Sequence, residues 1–283
     1  MIDETAEEIQ EMRTHSSSVV AVKAARALRE ITEQSFPTVE EYVRALERNS
    51  SALRRANTSH ASLVTTQREI VAAIDEESFE DVETAQERTR EVIQRVVDDV
   101  ERGKHEAAER LADELVDGST LLLHDYSTTV IEAIEIAIEY GKTFDAYVTE
   151  ARPRHLGRKS ARTLGALDGI DPTLVVDGAA GYYMAETDEV LVGMDCVVDD
   201  TLYNRVGTYP IAAVAANAGV PVTVAGSSAK LVDGAFQFEN DFRSASEVIR
   251  EPPEGFDVAN PSYDATPTGL LDRIVTDDGV REC

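Results

Sequence analysis

The sequence predicts an α/β protein, with a helical domain over residues 1–117 followed by a mostly parallel, open sheet domain over residues 118–283. Two observations predict it. Up to about residue 117, apolar residues recur at helical spacing and few β-type runs occur. From Ser119 onward, short apolar runs alternate with helical segments. Strands that are apolar on both faces and separated by helices imply a parallel sheet covered on each side.

In the helical part, residues from Ile9 and Met12 through Val19, Val20, Leu28 and Ile31 form an amphipathic stretch, interrupted near Ser16-Ser17-Ser18. Phe36-Pro37-Thr38 ends it, and Thr38 with Glu41 makes a capping box for the next helix. A long helix is expected from about Glu77, with Val82, Ala85, Val92, Val96 and Val100 on one stripe and Asp117-Gly118 as its stop. In the second part the expected strands are Thr120–Leu123, Ala146–Val148, Leu174–Val176, Val190–Val192 and Val220–Val224. Between them, helices are expected over Thr128–Tyr140, Leu156–Leu167 and Gly207–Ala218.

Charge narrows the function. The 54 acids exceed the 27 bases, giving −27, and only five of the bases are lysine. The acids are spread along the chain, which favours a surface kept hydrated in a high-salt cytoplasm over a docking face for a basic partner. At molar salt the Debye length falls to about 3 Å, so the mutual repulsion is weak. No basic cluster exists to neutralise nucleic-acid phosphates. No apolar run approaches the ~18–20 residues of a membrane span, and MIDETAEEIQEM is not a secretory signal, so the expected location is cytoplasmic. Cys196 and Cys283 belong to no CxxC or Cys/His cluster, and the reading calls for no metal and no cofactor.

Candidate chemistry falls at the carboxyl ends of the expected strands, where open α/β sheets bind ligands. His124-Asp125-Tyr126-Ser127-Thr128-Thr129 runs from a strand into a helix whose first turn can accept a phosphate, although a plain helix cap has the same composition. Asp195 follows another strand, and the Asn204-Arg205 pair heads a later helix. An acid beside an anion-holding arginine suits proton transfer on a phosphorylated sugar, while an Asp in that place also serves to cap a turn. Lys230 follows a third strand, where a solvated lysine is the commoner outcome.

Three ordered segments carry a resemblance. Thr149-Glu150-Ala151-Arg152-Pro153 with Gly157-Arg158, Val192-Gly193-Met194-Asp195 with Asn204-Arg205-Val206-Gly207-Thr208, and Asn260-Pro261-Ser262-Tyr263-Asp264-Ala265-Thr266-Pro267 with Ile274-Val275-Thr276-Asp277-Asp278-Gly279 resemble the motifs of one superfamily. It joins the alpha, beta and delta subunits of translation initiation factor 2B to ribose-1,5-bisphosphate and methylthioribose-1-phosphate isomerases. The resemblance implies a helical N-terminal domain with a Rossmann-like second domain, and a homo-oligomer. It implies a phosphorylated small-molecule ligand, with translation initiation factor 2 as a further partner. It also implies roles: Asp195 as the acid, Asn204 and Arg205 as the ligand pair, Ser127, Thr128 and Thr129 at the phosphate-binding helix start, and Lys230 as a substrate contact.

Departures are equally specific. The family's catalytic Cys is replaced by Asp125, an R-G-A-G loop by His15-Ser16-Ser17-Ser18, and a phosphate-binding Arg by Asn57. Each lost arginine contact removes about 1.5–3 kcal/mol of charge-assisted hydrogen bonding. A carboxylate at Asp125 also sets negative charge beside an anionic substrate, though it can still serve as a catalytic base. His124-Asp125-Tyr126-Ser127 resembles the regulatory alpha subunits, which also lack the Cys. The leading expectation is therefore a regulatory-subunit-like protein that binds a sugar phosphate or nucleotide monophosphate with little or no catalysis. The alternative is a ribose-1,5-bisphosphate isomerase using Asp195, with Asp125 as its altered partner. A structural assembly subunit is the third class.

Overall fold

The computed structural model describes residues 2–11, 16–232, 236–251 and 254–283. Met12 and His15, named above, lie outside the described residues. The chain packs as two compact units, Met1–Gly103 and Lys104–Cys283.

The first unit is helical: α1 (Ile2–Gln10), α2 (Ser17–Ala27), α3 (Val39–Ala56), α4 (Ala61–Asp75) and most of α5 (Val82–Glu114), which continues into the second unit. A 3₁₀ segment over Leu28–Glu33 follows α2 directly. The hydroxyl of Thr38 accepts the Glu41 N–H at 3.2 Å, forming half of the expected capping box and starting α3. Leu28, Leu46, Leu53, Ile70 and Ile93 are fully buried together, so one stripe of each helix supplies this core. Asn57 is buried, and its Oδ1 accepts the Ser59 N–H, making a turn ahead of α4.

The second unit carries two sheets. Its strands and helices are β1 (Thr120–Leu123), α6 (Thr128–Glu139), β2 (Phe144–Thr149), α7 (Gly157–Leu164), β3 (Ile170–Val175), α8 (Ala180–Tyr183), β4 (Glu189–Gly193), β5 (Cys196–Val198), β6 (Thr201–Arg205), α9 (Thr208–Ala218), β7 (Val222–Ala225), β8 (Leu231–Val232), β9 (Tyr263–Pro267), β10 (Arg273–Thr276) and β11 (Gly279–Glu282). The seven-stranded sheet has the order β11-β10-β7-β4-β1-β2-β3, parallel throughout except for the β10–β11 hairpin. This is the Rossmann-like, mostly parallel architecture expected. Its strand order reverses between β1 and β4, which makes the carboxyl ends of those two strands the topological switch point.

Leu121, Leu122, Val190, Leu191, Val192 and Val224 are almost fully buried, as strands covered on both faces must be. The second sheet, β8-β5-β6-β9, was not anticipated. It corrects one placement: Asn204 and Arg205 do not head a helix but end strand β6, and Gly207 caps α9. Among the described residues no helix is long and apolar enough to cross a membrane.

Two side chains fasten the end of α5 within the second unit. Lys142 Nζ donates to the carbonyls of Ala112, Asp113 and Leu115 at 2.8, 3.1 and 2.7 Å, placing a cation on the helix's negative end. Lys142→Met should lower unfolding stability by about 1–3 kcal/mol in urea titration. His105 Nδ1 lies 2.7 Å from Glu132 Oε1, and that carboxylate holds the imidazole pKa above its usual value. Because the folded value is the higher one, the contribution is complete below the ordinary histidine pKa and disappears as pH rises through the raised one. His105→Gln should therefore narrow the gap in melting temperature between mildly acidic and alkaline buffer, as thermal melts across pH would read.

Candidate functional site

The switch point gathers the sequence-predicted residues from four strand ends. After β1, Asp125 adopts a left-handed backbone (φ 66°), which turns the chain sharply toward α6. Ser127 is the N-cap of α6, its hydroxyl accepting the Val130 N–H at 3.3 Å. Thr128 and Thr129 form the first turn, with Thr129 buried. Ser127 rests against the end of β4: a Cβ on Gly193 would come within 2.6 Å of its Oγ, so only glycine lets these strand ends approach.

Asp195 is two residues beyond that contact. It is buried, and its N–H donates to Tyr203 O at 3.0 Å, bridging to β6. Lys230, also buried, donates from Nζ to the carbonyl of Met194 at 2.9 Å. Burial pulls the Lys230 pKa down, while the neighbouring Asp195 charge works in the opposite direction. Cys196 begins β5, fully buried, and burial followed by the Asp195 charge pushes its thiol pKa well up. That makes it an inert thiol.

The strongest contact joins Asp125 to Arg205. Arg205 Nε lies 3.1 Å from Asp125 Oδ2, with the arginine side chain 4% and the aspartate 13% exposed. Burial opposes the guanidinium charge, but Asp125, Tyr263 and Asp195 together more than offset it and the arginine pKa moves up. Arg205 also lies over the Tyr263 ring at 5.0 Å and donates to Ser262 O at 3.4 Å. The other Asp125 oxygen, Oδ1, is buried and makes no hydrogen bond. Arg154 lies near this pair: burial and the charges of Arg243 and Arg205 lower its pKa.

Asn204 is turned to a structural task, its Nδ2 donating to Thr208 Oγ1 at 3.0 Å. The α9 start is likewise satisfied internally, since Asp264 Oδ2 accepts from Gly207 N and Tyr209 N at 2.7 and 3.0 Å. Of the two helix starts at this rim, α6 is therefore the better placed to receive an anion. Sequence reasoning missed Thr149, Arg154, Tyr263 and Asp264 as site residues, although all but Arg154 fall in quoted motif positions. Thr149 Oγ1 meets His124 Nδ1 at 2.7 Å, and His124 Nε2 meets Val206 O at 3.0 Å, so this buried histidine ties β1, β2 and the β6–α9 turn together.

Fold and site define a Rossmann-like α/β protein whose switch point holds two acids, one of them paired with a buried arginine. The model of the initiation factor 2 subunit family matches residues 13–283, and the chain belongs to that family. The ribose 1,5-bisphosphate isomerase of Haloferax volcanii is 32% identical over 285 residues, covering 97% of this chain and 87% of that protein. The ribose 1,5-bisphosphate isomerase of Methanocaldococcus jannaschii is 30% identical, covering 99% and 91%. The solved structure of translation initiation factor eIF-2B from Pyrococcus horikoshii OT3 superposes with a TM-score of 0.81 at 25% identity, covering 99% of this chain and 96% of its own.

These relatives correct the expectation of a regulatory subunit with little or no catalysis. Four of them, 30–32% identical over nearly the whole chain, are named as the isomerase. One physical argument for the regulatory reading was the extra negative charge of Asp125, and Arg205 offsets that charge at 3.1 Å.

Breaking this pair from one side should be costly. Arg205→Met leaves the Asp125 carboxylate without its cation and should cost about 3–5 kcal/mol in denaturant unfolding. The double variant Asp125→Asn, Arg205→Met should recover a substantial part of that loss, and a double-mutant cycle reads the difference.

Proposed function

We propose that the chain is an aldose–ketose isomerase of a pentose bisphosphate, converting ribose 1,5-bisphosphate to ribulose 1,5-bisphosphate. The observation that carries this reading is the position of Asp195, a buried carboxylate at the switch point beside the start of α6. The named relatives support the substrate.

The reaction moves two hydrogens. C2 loses its hydrogen and its hydroxyl loses a proton, while C1 gains a hydrogen and the ring oxygen leaving C1 gains a proton. Two acid–base groups on the sugar's reacting edge suffice for this exchange. Asp195 is one, poised as a base. Asp125 is the other: Arg205 holds Oδ2, and the buried Oδ1, which has no hydrogen-bond partner, is the oxygen that would exchange a proton once the rim opens to the substrate. A phosphate at the first turn of α6 would be received by Ser127, Thr128 and Thr129. Asn204 serves by holding Arg205's strand end against α9.

The reading extends to a cytoplasmic homo-oligomer whose acidic surface is suited to high salt, and translation initiation factor 2 is not needed for it. The test is incubation of the purified protein with ribose 1,5-bisphosphate in molar KCl, with chromatographic detection of ribulose 1,5-bisphosphate. Turnover is expected, and Asp195→Asn should reduce kcat by about 10²–10⁴. Absence of ketose across low and molar salt, with folded protein, defeats the proposal.

A further inference from the structure

Residues next to the Asp125–Arg205 pair bond each other as well. His124 precedes Asp125, Val206 follows Arg205, and His124 Nε2 meets the Val206 carbonyl at 3.0 Å. This bridge runs beside the ion pair, whose own contact is 3.1 Å. We propose that His124 is a positioning residue: as the neutral imidazole with its hydrogen on Nε2, it sets the separation of the β1 and β6 ends, and so the placement of Asp125 against Arg205. Its effect on turnover rests on the isomerase reading, whereas the tautomer and the bridge do not.

The partners of the ring fix its protonation. A carbonyl oxygen only accepts, so Nε2 carries a hydrogen. On the other side, Thr149 Oγ1 lies 2.7 Å from Nδ1 and 3.3 Å from Leu123 O. Hydroxyl bonds to oxygen centre on about 2.7–2.8 Å, so Leu123 O is a distant acceptor and the Thr149 proton is directed to Nδ1. Nδ1 therefore accepts, and the ring is neutral. His124 is 2% exposed and Thr149 is fully buried, so water does not replace either bond. A neutral ring also avoids placing a charge in the interior, where both of its nitrogens face uncharged groups.

The surroundings leave the ring one place to lie. Gly207 has φ 109°, and a Cβ there would stand 2.6 and 2.7 Å from His124 Cε1 and Nε2, so the missing side chain makes room for the imidazole. The Val206 peptide is held on its far side too. Its N–H donates to Ser262 O at 3.0 Å, the carbonyl that Arg205 Nη1 reaches at 3.4 Å. Asp125 is held through its own carbonyl, which accepts from Ser160 Oγ at 2.6 Å. The backbone on each side of the ion pair is thus anchored without using either charge, and His124 joins the two sides. That matters because a buried pair offsets its desolvation only in good geometry, and an acid–base group displaced by about 1 Å can lose 10²-fold in rate.

Two substitutions separate this role from proton transfer by the ring. Glutamine carries an N–H at the bond distance of Nε2, while asparagine reaches only as far as Nδ1. With ribose 1,5-bisphosphate in molar KCl, His124→Asn should lower kcat about tenfold or more with KM within about twofold, and His124→Gln should restore most of kcat. Equal losses in both variants overturn the proposal, since neither amide can stand in for a ring that itself exchanges protons. Full kcat in His124→Asn, or a raised KM with kcat preserved, overturns it too. A second readout uses the wild type, and decides the matter should either variant not fold. Heteronuclear NMR resolves the ring nitrogens of the five histidines, residue 124 being assigned through its own backbone. Its Nε2 should carry a slowly exchanging hydrogen and its Nδ1 none; a hydrogen on Nδ1 overturns the bridge. A wild type that makes no ketose defeats the isomerase reading instead, and the NMR result then judges the bridge alone.

Discussion

The ion pair between Asp125 and Arg205 is the constraint on which the rest of the second unit's rim depends. Asp125 stands where β1 stops, in a left-handed conformation that short polar side chains tolerate better than most. Arg205 ends β6, in the other sheet, and is held there by Tyr263 and Ser262 O. Either charge alone in this place would be expensive, because neither has enough water to solvate it. Together they fix the bend that delivers Ser127 to the cap of α6, and they fasten the small mixed sheet to the mouth of the large one. Side chains 80 residues apart thereby decide where one helix begins.

That separation explains what could be read from the residues and what could not. The parallel sheet was legible because it is a local pattern: Leu121-Leu122-Leu123 and Val190-Leu191-Val192 are apolar on both faces, and each is followed by helical periodicity. A helix cap at Ser127 or Thr128 was legible for the same reason, and Ser127 takes it. The second sheet was not. Its strands are short, and β6 finds its partner in β9, from Tyr263 to Pro267, so no window of sequence contains the pairing. Asn204 and Arg205 were accordingly taken for the head of a helix when they are the tail of a strand.

Side-chain roles were harder still. A lysine after a strand reads as a solvated cation, and what buries Lys230 is the fit of Gly226, Met194 and Ser227 around it, a matter of packing with no signature in spacing. Asp264 shows the same limit: it sits in a motif the sequence displays plainly, yet its task is to accept the Gly207 and Tyr209 N–H groups from across the sheet. The order of the motifs was enough to name a family, while the work each residue does waited on its neighbours.

Charge balance at the rim also resolves the difficulty that had pointed away from catalysis. In a chain of net charge −27, two further carboxylates at a phosphate-receiving site should repel the ligand they serve. Here Asp125 is paired with the buried Arg205, and Asp195 adjoins the Met194 carbonyl that the buried Lys230 bonds. The Asp125–Arg205 pair carries no net charge, and at ligand distances it acts as a dipole, whose field falls away faster than that of a bare ion. The attraction left for an anion is then that of the α6 start, short-ranged and directional, and it survives molar salt better than long-range steering by a charged surface. An exchange of thiol for carboxylate at position 125 therefore need not abolish anion binding, provided the arginine at 205 accompanies it.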